Sequence, residues 1–563
     1  MKAFSRRDFL RYGGAGVFGL TLTGLNLPFL SLRKAKAGVV SDTAWKFGVM
    51  ADTQWRTGSN GGEEPASCAV SIIDALNQEF IRHDCKFVIQ VGDLVDVETV
   101  SGARTLPTRE AHTQALYNSG IGFFPVRGNH EASKTAAAEI PALFPQTLGN
   151  GPHLFGAANF QSPILTSAVS APMSLQGLSY AFDFDNVRCI LLDQFTRSDG
   201  TNYDGTTSNN NNMVDQVGWV EEVLADKPAD SHAFVFAHKN LIGQNHKDVL
   251  FGASLTANPG PRDSFITSLS NHGVRYCLGG HDHMHHRSIV TDSSKNAGVG
   301  QIICSSNSYK FYIPKAGDDG REIPVGQELF TIGYYIFTVD GPRVTVDFYS
   351  ASHGYDYGDK DLIYPPSAMA FHLRDRFGYS LNGSQFEITR GGSYTGVMDS
   401  CQGTTVRILG GQNGNTETDY LNRSLTKTVN TGWSEPGQAD DAAGMILTLW
   451  GLADNLSLYN ANLTGLLPDG PESLETDIYA LSLTYDPLAV RPSQLVSGDF
   501  ALAARDGNGD WVNAADLNSG GAKTFKYGPW KPQYGLGTYG VDPRTKTVWA
   551  VINHEGDFTA KLV

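Results

Sequence analysis

Basic residues and cysteines are scarce in this chain of 563 residues. Lysine and arginine together number 43 against 58 aspartates and glutamates, a formal net charge of −15. That deficit argues against sequence-independent nucleic-acid binding, which needs a basic footprint. An anionic substrate has to be attracted locally, by metal ions or a few lysines and arginines. The six cysteines, Cys68, Cys85, Cys189, Cys277, Cys304 and Cys401, show no CxxC or other metal-type spacing. Most sit in apolar runs, where cysteine acts as a small buried hydrophobe. An oxidising compartment would permit disulfides, but the pattern requires none. No internal repeat of fixed period is present. Glycine, by contrast, is plentiful at 62 residues and favours turns and β-rich stretches over a helical bundle. A hydrophobic content of 41% with 18% charged residues fits a globular protein with sizeable cores, and the length implies two domains.

The N-terminal residues stand apart from the fold. Ser5-Arg6-Arg7-Asp8-Phe9-Leu10 resembles a twin-arginine export motif, followed by a mildly apolar run over residues 13–32. Gly13, Gly14, Gly16, Gly19, Gly24 and Pro28 interrupt that run, and it is short for a spanning helix. Ala35-Lys36-Ala37 supplies a small-x-small cleavage pattern. The expectation is a cleaved signal over residues 1–37, read by the twin-arginine export machinery of a bacterium, with no stable membrane anchor afterwards. Its removal takes seven basic side chains and one acidic one, leaving 36 against 57, or −21. The mature protein would be periplasmic or extracellular and distinctly acidic.

From Trp45 to about Tyr349, short apolar runs alternate with helical stretches and loops. Trp45–Ala51, Lys86–Val91, Gly122–Val126, Cys189–Leu192, Ala233–Ala237 and Val274–Leu278 read as buried strands. Ser67–Arg82 and Arg262–His272 read as helices between them. Ser179–Phe184, Gly333–Val339 and Arg343–Tyr349 add hairpin-like strands, so the α/β sheets should be mixed. Residues 356–385 read as a linker. Residues 386–563, with alternating segments such as Ile478–Tyr485, Ala501–Arg505, Trp511–Ala515 and Thr547–Ile552, read as a separate β-rich domain of unknown role.

Five motifs follow strand-like runs in the first of these regions. They are Asp52-Thr53-Gln54, Gly92-Asp93-Leu94-Val95-Asp96, Gly128-Asn129-His130-Glu131, a run ending in His238, and Gly280-His281-Asp282-His283. Each strand delivers N- or O-donor side chains at its carboxyl end, where α/β sheets place their ligand crevices. Any one of them has a bland reading. A lone GD or GNH is a common turn, His238 alone could be a satisfied strand-end histidine, and HDHMHH could be an exposed histidine-rich loop. Five in order, each at a strand end, are a different matter. Carboxylate, imidazole and amide oxygen without thiolate suit Mn, Fe or Zn. Seven donors exceed the needs of one ion and fit two sharing a carboxylate.

The order D-x-[HQ], GDxxD, GNHE, strand-end His and GHxH resembles the calcineurin-like metallophosphoesterase superfamily, over residues 44–355. That resemblance implies a four-layered αββα sandwich with a dinuclear site at the strand ends, followed here by the β-rich C-terminal domain. It implies a first metal on Asp52, Gln54, Asp93 and His283, and a second on Asp93, Asn129, His238 and His281. It implies that His130, oriented by Asp96, protonates the leaving oxygen or polarises the phosphate, and that a hydroxide bridging the two ions attacks a small phosphate mono- or diester. Position 54 departs from the family's usual histidine. A neutral amide oxygen is a weaker ligand than imidazole, and Gln54 could instead hydrogen-bond a metal-bound water. Asp96 stands where purple acid phosphatases carry a ligating tyrosine, which disfavours that subfamily.

His285 and His286 read as exposed or as neighbours of the ligands rather than ligands themselves. Asp506-Gly507-Asn508-Gly509-Asp510 resembles the opening of a calcium loop, but Trp511 and Leu517 occupy its glycine and glutamate positions, so a hairpin turn is expected. The alternative function is an extracellular or cell-surface binding protein on a degenerate phosphoesterase scaffold, for which Gln54 and the long tail speak.

Overall fold

The structure is a computed structural model that describes residues 44–54, 68–163, 175–197, 201, 211–308, 310–315, 320–352, 369–389, 398–401, 404–410, 418–434, 442–452 and 475–563. Residues 38–563 form one compact unit, and residues 1–37, for which a cleaved signal is expected, lie outside the described residues. Among the described residues no helix is long and apolar enough to cross a membrane.

Five strands carry the motif residues: β1 (Trp45–Met50), β2 (Cys85–Val91), β3 (Gly122–Val126), β4 (His232–Ala237) and β5 (Tyr276–Gly279). They are almost continuously apolar because both faces are covered. β1, β2 and β3 run parallel, with Val49 opposite Ile89 and Ile89 opposite Phe124. β1 also pairs antiparallel with Thr331–Asp340, and Arg343–Ser352 and His372–Ser380 complete a six-stranded sheet. β4 and β5 lie side by side and parallel in an eight-stranded second sheet, flanked by parallel Val187–Leu192 and Gly298–Ile303. Both sheets are therefore mixed, as expected.

The two sheets face each other across an aromatic core. Phe47 of β1 stacks on Phe337 at 4.6 Å and Phe87 at 5.0 Å in its own sheet, and meets Phe234 of the second at 5.6 Å between ring centroids. Truncating so buried a phenylalanine to alanine typically costs about 3–5 kcal/mol. On the outer face of the first sheet, helix Val70–Arg82 seats Ile72, Ile73, Leu76 and Phe80 over Met50 and Val88, at the helical spacing of one face. On the outer face of the second, Val220 and Leu224 of Val217–Ala225 and Phe265 and Leu269 of Pro259–Asn271 cover Ile190 and Val235. The result is a four-layered αββα sandwich. The first helix starts three residues later than its sequence pattern suggests, because Cys68 forms an antiparallel bridge with Gln54. Pro259 and Pro261, tolerated in a first turn, start the other helix earlier.

The C-terminal region is β-rich as expected, with two six-stranded sheets. Glu475–Thr484 pairs with Thr547–His554 in one, and Phe500–Arg505 pairs with Trp511–Asn513 in the other. Leu447, Leu449, Leu502 and Phe558 meet Leu481, Val548, Ala550 and Ile552 between them. Asp506–Asp510 is a hairpin turn, with the Asp506 N–H bonded to the Asp510 carbonyl at 2.9 Å. Within the stretch read as linker, His372–Ser380 is an edge strand of the first sheet, paired with Arg343–Ser350. Its charged residues masked the period of two: Arg374 bonds Glu328, and Arg376 pairs with Asp347 on the neighbouring strand. The Trp450 indole N–H donates to Thr345 Oγ1 at 3.0 Å, and Arg343 donates to Thr448 Oγ1 at 2.7 Å, so the first sheet and the C-terminal sheets share side-chain contacts.

Candidate metal centre

The carboxyl ends of β1, β2 and β3 in one sheet and β4 and β5 in the other point to the same place. The chain turns sharply as it leaves them. Asp52, Asp93, His281 and His283 all adopt left-handed backbone conformations, with φ of 51°, 47°, 69° and 54°. Such non-glycine conformations cost of order 1 kcal/mol or more each and gather at functional sites. Two glycines permit the close approach. A Cβ on Gly128 would lie 2.0 Å from Asp93 Oδ1, and one on Gly280 would lie 2.5 Å from Asp52 Oδ2.

All seven expected donors stand at these strand ends, with His281 Nε2 facing Asp248 at 3.4 Å, and all are buried except Asn129, which is partly so. His238 Nε2 lies 2.8 Å from Asn129 Oδ1 and 3.3 Å from Asp93 Oδ1. Its Nδ1–H donates to the Val91 carbonyl at 3.1 Å, which leaves Nε2 as a lone pair. Three lone-pair atoms therefore converge with no hydrogen between them unless His238 is protonated. Asp52, Asp93 and His238 offer ligand atoms all within 4.8 Å of one another. Burial opposes charge on all three, but the Asp93 carboxylate pushes His238 up to about 9, and His238 and His130 hold Asp93 well below the usual carboxylate range. Desolvation pushes Asp52 well up. Buried charges so arranged call for a cation, and the O/N donor set fits a divalent transition metal.

On the other side of Asp93 the contacts differ. The Gln54 amide N–H groups donate to Asp93 Oδ2 at 2.8 Å and face His283 Nε2 at 3.0 Å. The His283 Nδ1–H donates to the Lys310 carbonyl at 2.8 Å, and Asp52 Oδ1 lies 3.4 Å from its Nε2. Burial and the Lys310 charge hold His283 well below the usual imidazole range, so it is neutral. The Lys310 ammonium donates to Gln54 Oε1 at 2.8 Å and pairs with Asp96.

His130, with its side chain 27% exposed, sits at the mouth of the site. Its Nδ1 is hydrogen-bonded to the main-chain carbonyl of Asp96, while the Asp96 carboxylate lies 3.5 Å away and belongs to Lys310. The residue expected to orient His130 thus does so chiefly through its backbone. His285 and His286 are fully buried, not exposed. His285 bonds Tyr335 at 2.8 Å, and His286 lies 3.1 Å from Glu322.

Sequence reasoning gave no role to four residues that shape the site. Glu131 accepts the Val95 N–H at 2.8 Å and the Gly128 N–H at 2.9 Å, tying the Asp93 and Asn129 loops together; burial and Asp93 push its carboxyl up to about 8. His246 stacks on His281 at 4.1 Å and pairs with Asp282 at 2.8 Å. Asp248, paired with Lys239 at 2.8 Å, lies 3.4 Å from His281 Nε2. Lys310 is the fourth. His246 and Asp248 follow β4 and Lys310 follows Gly298–Ile303, so each lies beyond the carboxyl end of a parallel strand, the one signal that could have found them.

Buried carboxylates and imidazoles thus gather at the strand ends of an αββα sandwich. Residues 45–285 match the family model of the calcineurin-like phosphoesterases, a stretch that holds every motif residue and ends before Lys310. Among solved structures, the chain is similar to that of PhoD at 13% identity and a TM-score of 0.38, over 60% of this chain and 70% of that one. It is also similar to purple acid phosphatase PPD1 from yellow lupin (Lupinus luteus) seeds, at 12% identity and TM-score 0.39, over 61% of this chain and 54% of the lupin chain. A dimetal phosphatase from Danio rerio gives 16% identity and TM-score 0.32, over 54% and 95%. No curated protein sequence matches the chain.

Proposed function

We propose that this chain is an exported, metal-dependent hydrolase of phosphate mono- or diesters. The observation that carries the reading is the convergence of Asp93, Asn129 and His238 lone pairs beside Asp52, with His130 at the mouth. Asp93 would be shared by two donor sets, Asp93-Asn129-His238-His281 and Asp52-Gln54-Asp93-His283. A transition-metal cation held there (Mn, Fe or Zn) would polarise the phosphate and lower the pKa of bound water. The chain's own residues do the rest. The Asp96 carbonyl keeps the proton on His130 Nδ1 in the neutral ring and leaves Nε2 facing the site, 3.8 Å from Asp93 Oδ2, where the protonated ring can hand a proton to the departing oxygen. Lys310 adds a positive charge beside Asp96. Buried walls on both sheets limit water around the donors.

A screen of aryl phosphate mono- and diesters with the purified chain tests this. Turnover is expected with Mn or Zn present, lost on treatment with a strong chelator and restored by the metal. A protein that keeps its metal yet turns over none of these esters would instead support the extracellular binding protein with a degenerate scaffold.

The paired arginines ahead of Asp8-Phe9-Leu10 carry the export reading, since a receptor reads such a segment as an address. Arg6→Lys with Arg7→Lys is expected to hold the full chain in the cytoplasm. Unchanged delivery of that variant to the periplasm sinks the twin-arginine assignment.

A further inference from the structure

The two donor sets around Asp93 are not equivalent. In the Asn129 set, Asp93 Oδ1 accepts the His130 N–H, but it and Asn129 Oδ1 also face the His238 Nε2 lone pair with no donor between them, a gap that a cation or a proton fills. In the Gln54 set, every polar group already has a partner. An ammonium only donates, so the atom of Gln54 that faces Lys310 Nζ is its carbonyl oxygen. That places the amide NH₂ toward Asp93 Oδ2 and His283 Nε2, the two lone pairs a metal would need. His283 cannot turn its other nitrogen inward, because Nδ1 is committed to the Lys310 carbonyl. Lys310 thus fixes this half of the site twice, through its ammonium and through its backbone.

Charge agrees with geometry. Asp52, Asp93 and Asp96 are buried carboxylates against the site. The Lys310 ammonium already places a positive charge beside Gln54 and Asp96, so a second divalent ion there would meet a like charge in a desolvated place. The Gln54 set therefore does not fit a metal ion, and the Asn129 set does.

We infer that the chain holds one resident divalent cation, on Asp93, Asn129 and His238, and that Lys310, bridged through Gln54, supplies the positive charge where a second ion was expected. This rests on the phosphoesterase reading, and it gives that reading an ammonium beside His130 to meet the substrate phosphate.

Metal counting on the full chain, saturated with Mn(II) and desalted, tests it without reference to activity. The native chain is expected to carry one ion, with the electron paramagnetic resonance spectrum of isolated Mn(II). Gln54→His alone should still carry one, because the ammonium remains. Gln54→His with Lys310→Met removes both obstacles and should carry two, with an exchange-coupled spectrum. Two ions in the native chain overturn the inference and leave the hydrolase reading standing, a result that needs no variant to fold. One ion in a double variant that melts like the native chain overturns the role given to Lys310. No ion in the native chain overturns both readings.

Discussion

Asp93→Ala is expected to lose bound metal and to lower turnover on phosphate esters by at least about 10³-fold, because several kcal/mol of charge stabilisation go with the ion and each 1.4 kcal/mol is about a factor of ten. The Asp93 side chain touches both halves of the site. Asp93 Oδ1 accepts the His130 N–H at 3.0 Å and faces His238 Nε2, and its Oδ2 accepts from Gln54. Removing it also deletes the charge that pushes His238 up to about 9, so the imidazole should turn neutral at physiological pH. Asp93→Asn keeps the volume and one acceptor oxygen while dropping the charge, and separates the loss of a ligand from a fault in folding. Metal analysis beside a thermal melt decides: a folded Asp93→Asn chain that keeps its ion and its turnover would remove Asp93 from the centre of the site.

His130→Ala should act differently. Turnover on esters with poor leaving groups is expected to fall about 10²–10⁴-fold, the usual range for losing a general acid. Nitrophenyl esters, whose leaving group departs without a proton, should suffer far less, and metal content should stay native. Because the Asp96 main-chain carbonyl holds Nδ1, Asp96→Asn should not reproduce the loss through His130 orientation; any defect it shows should track Lys310, its ion-pair partner. Equal penalties for good and poor leaving groups, or loss of the ion from His130→Ala, would refute the acid role.

The sandwich and the ring of donors could be read from local pattern, because each donor stands directly after a run of buried apolar residues. Gly122–Val126 is found to the residue, and the neighbouring strands to within a few. What escaped reading is non-local. Lys310 reaches Gln54 across a sequence separation of 256, from a loop with no motif of its own. The sequence shows an amide where a histidine is usual, but not what that amide faces, and its partner decides whether it can bind a metal. The strand His372–Ser380 escaped for another reason: the consecutive Arg374, Asp375 and Arg376 are each satisfied by a residue of another strand, so hydropathy alone sees a polar stretch.

That last strand bears on how the chain can be divided. A fragment ended at residue 355, where the motif-bearing region ends by its sequence pattern, discards His372–Ser380 and bares the ladder of Arg343–Ser352. An unpaired row of N–H and C=O groups invites another copy to pair with it. The same cut removes Trp450, whose ring packs against the backbone of Gly378. The seam between the two halves is a shared β-ladder, and a shortened protein would meet its first difficulty as self-association at that margin, far from the metal.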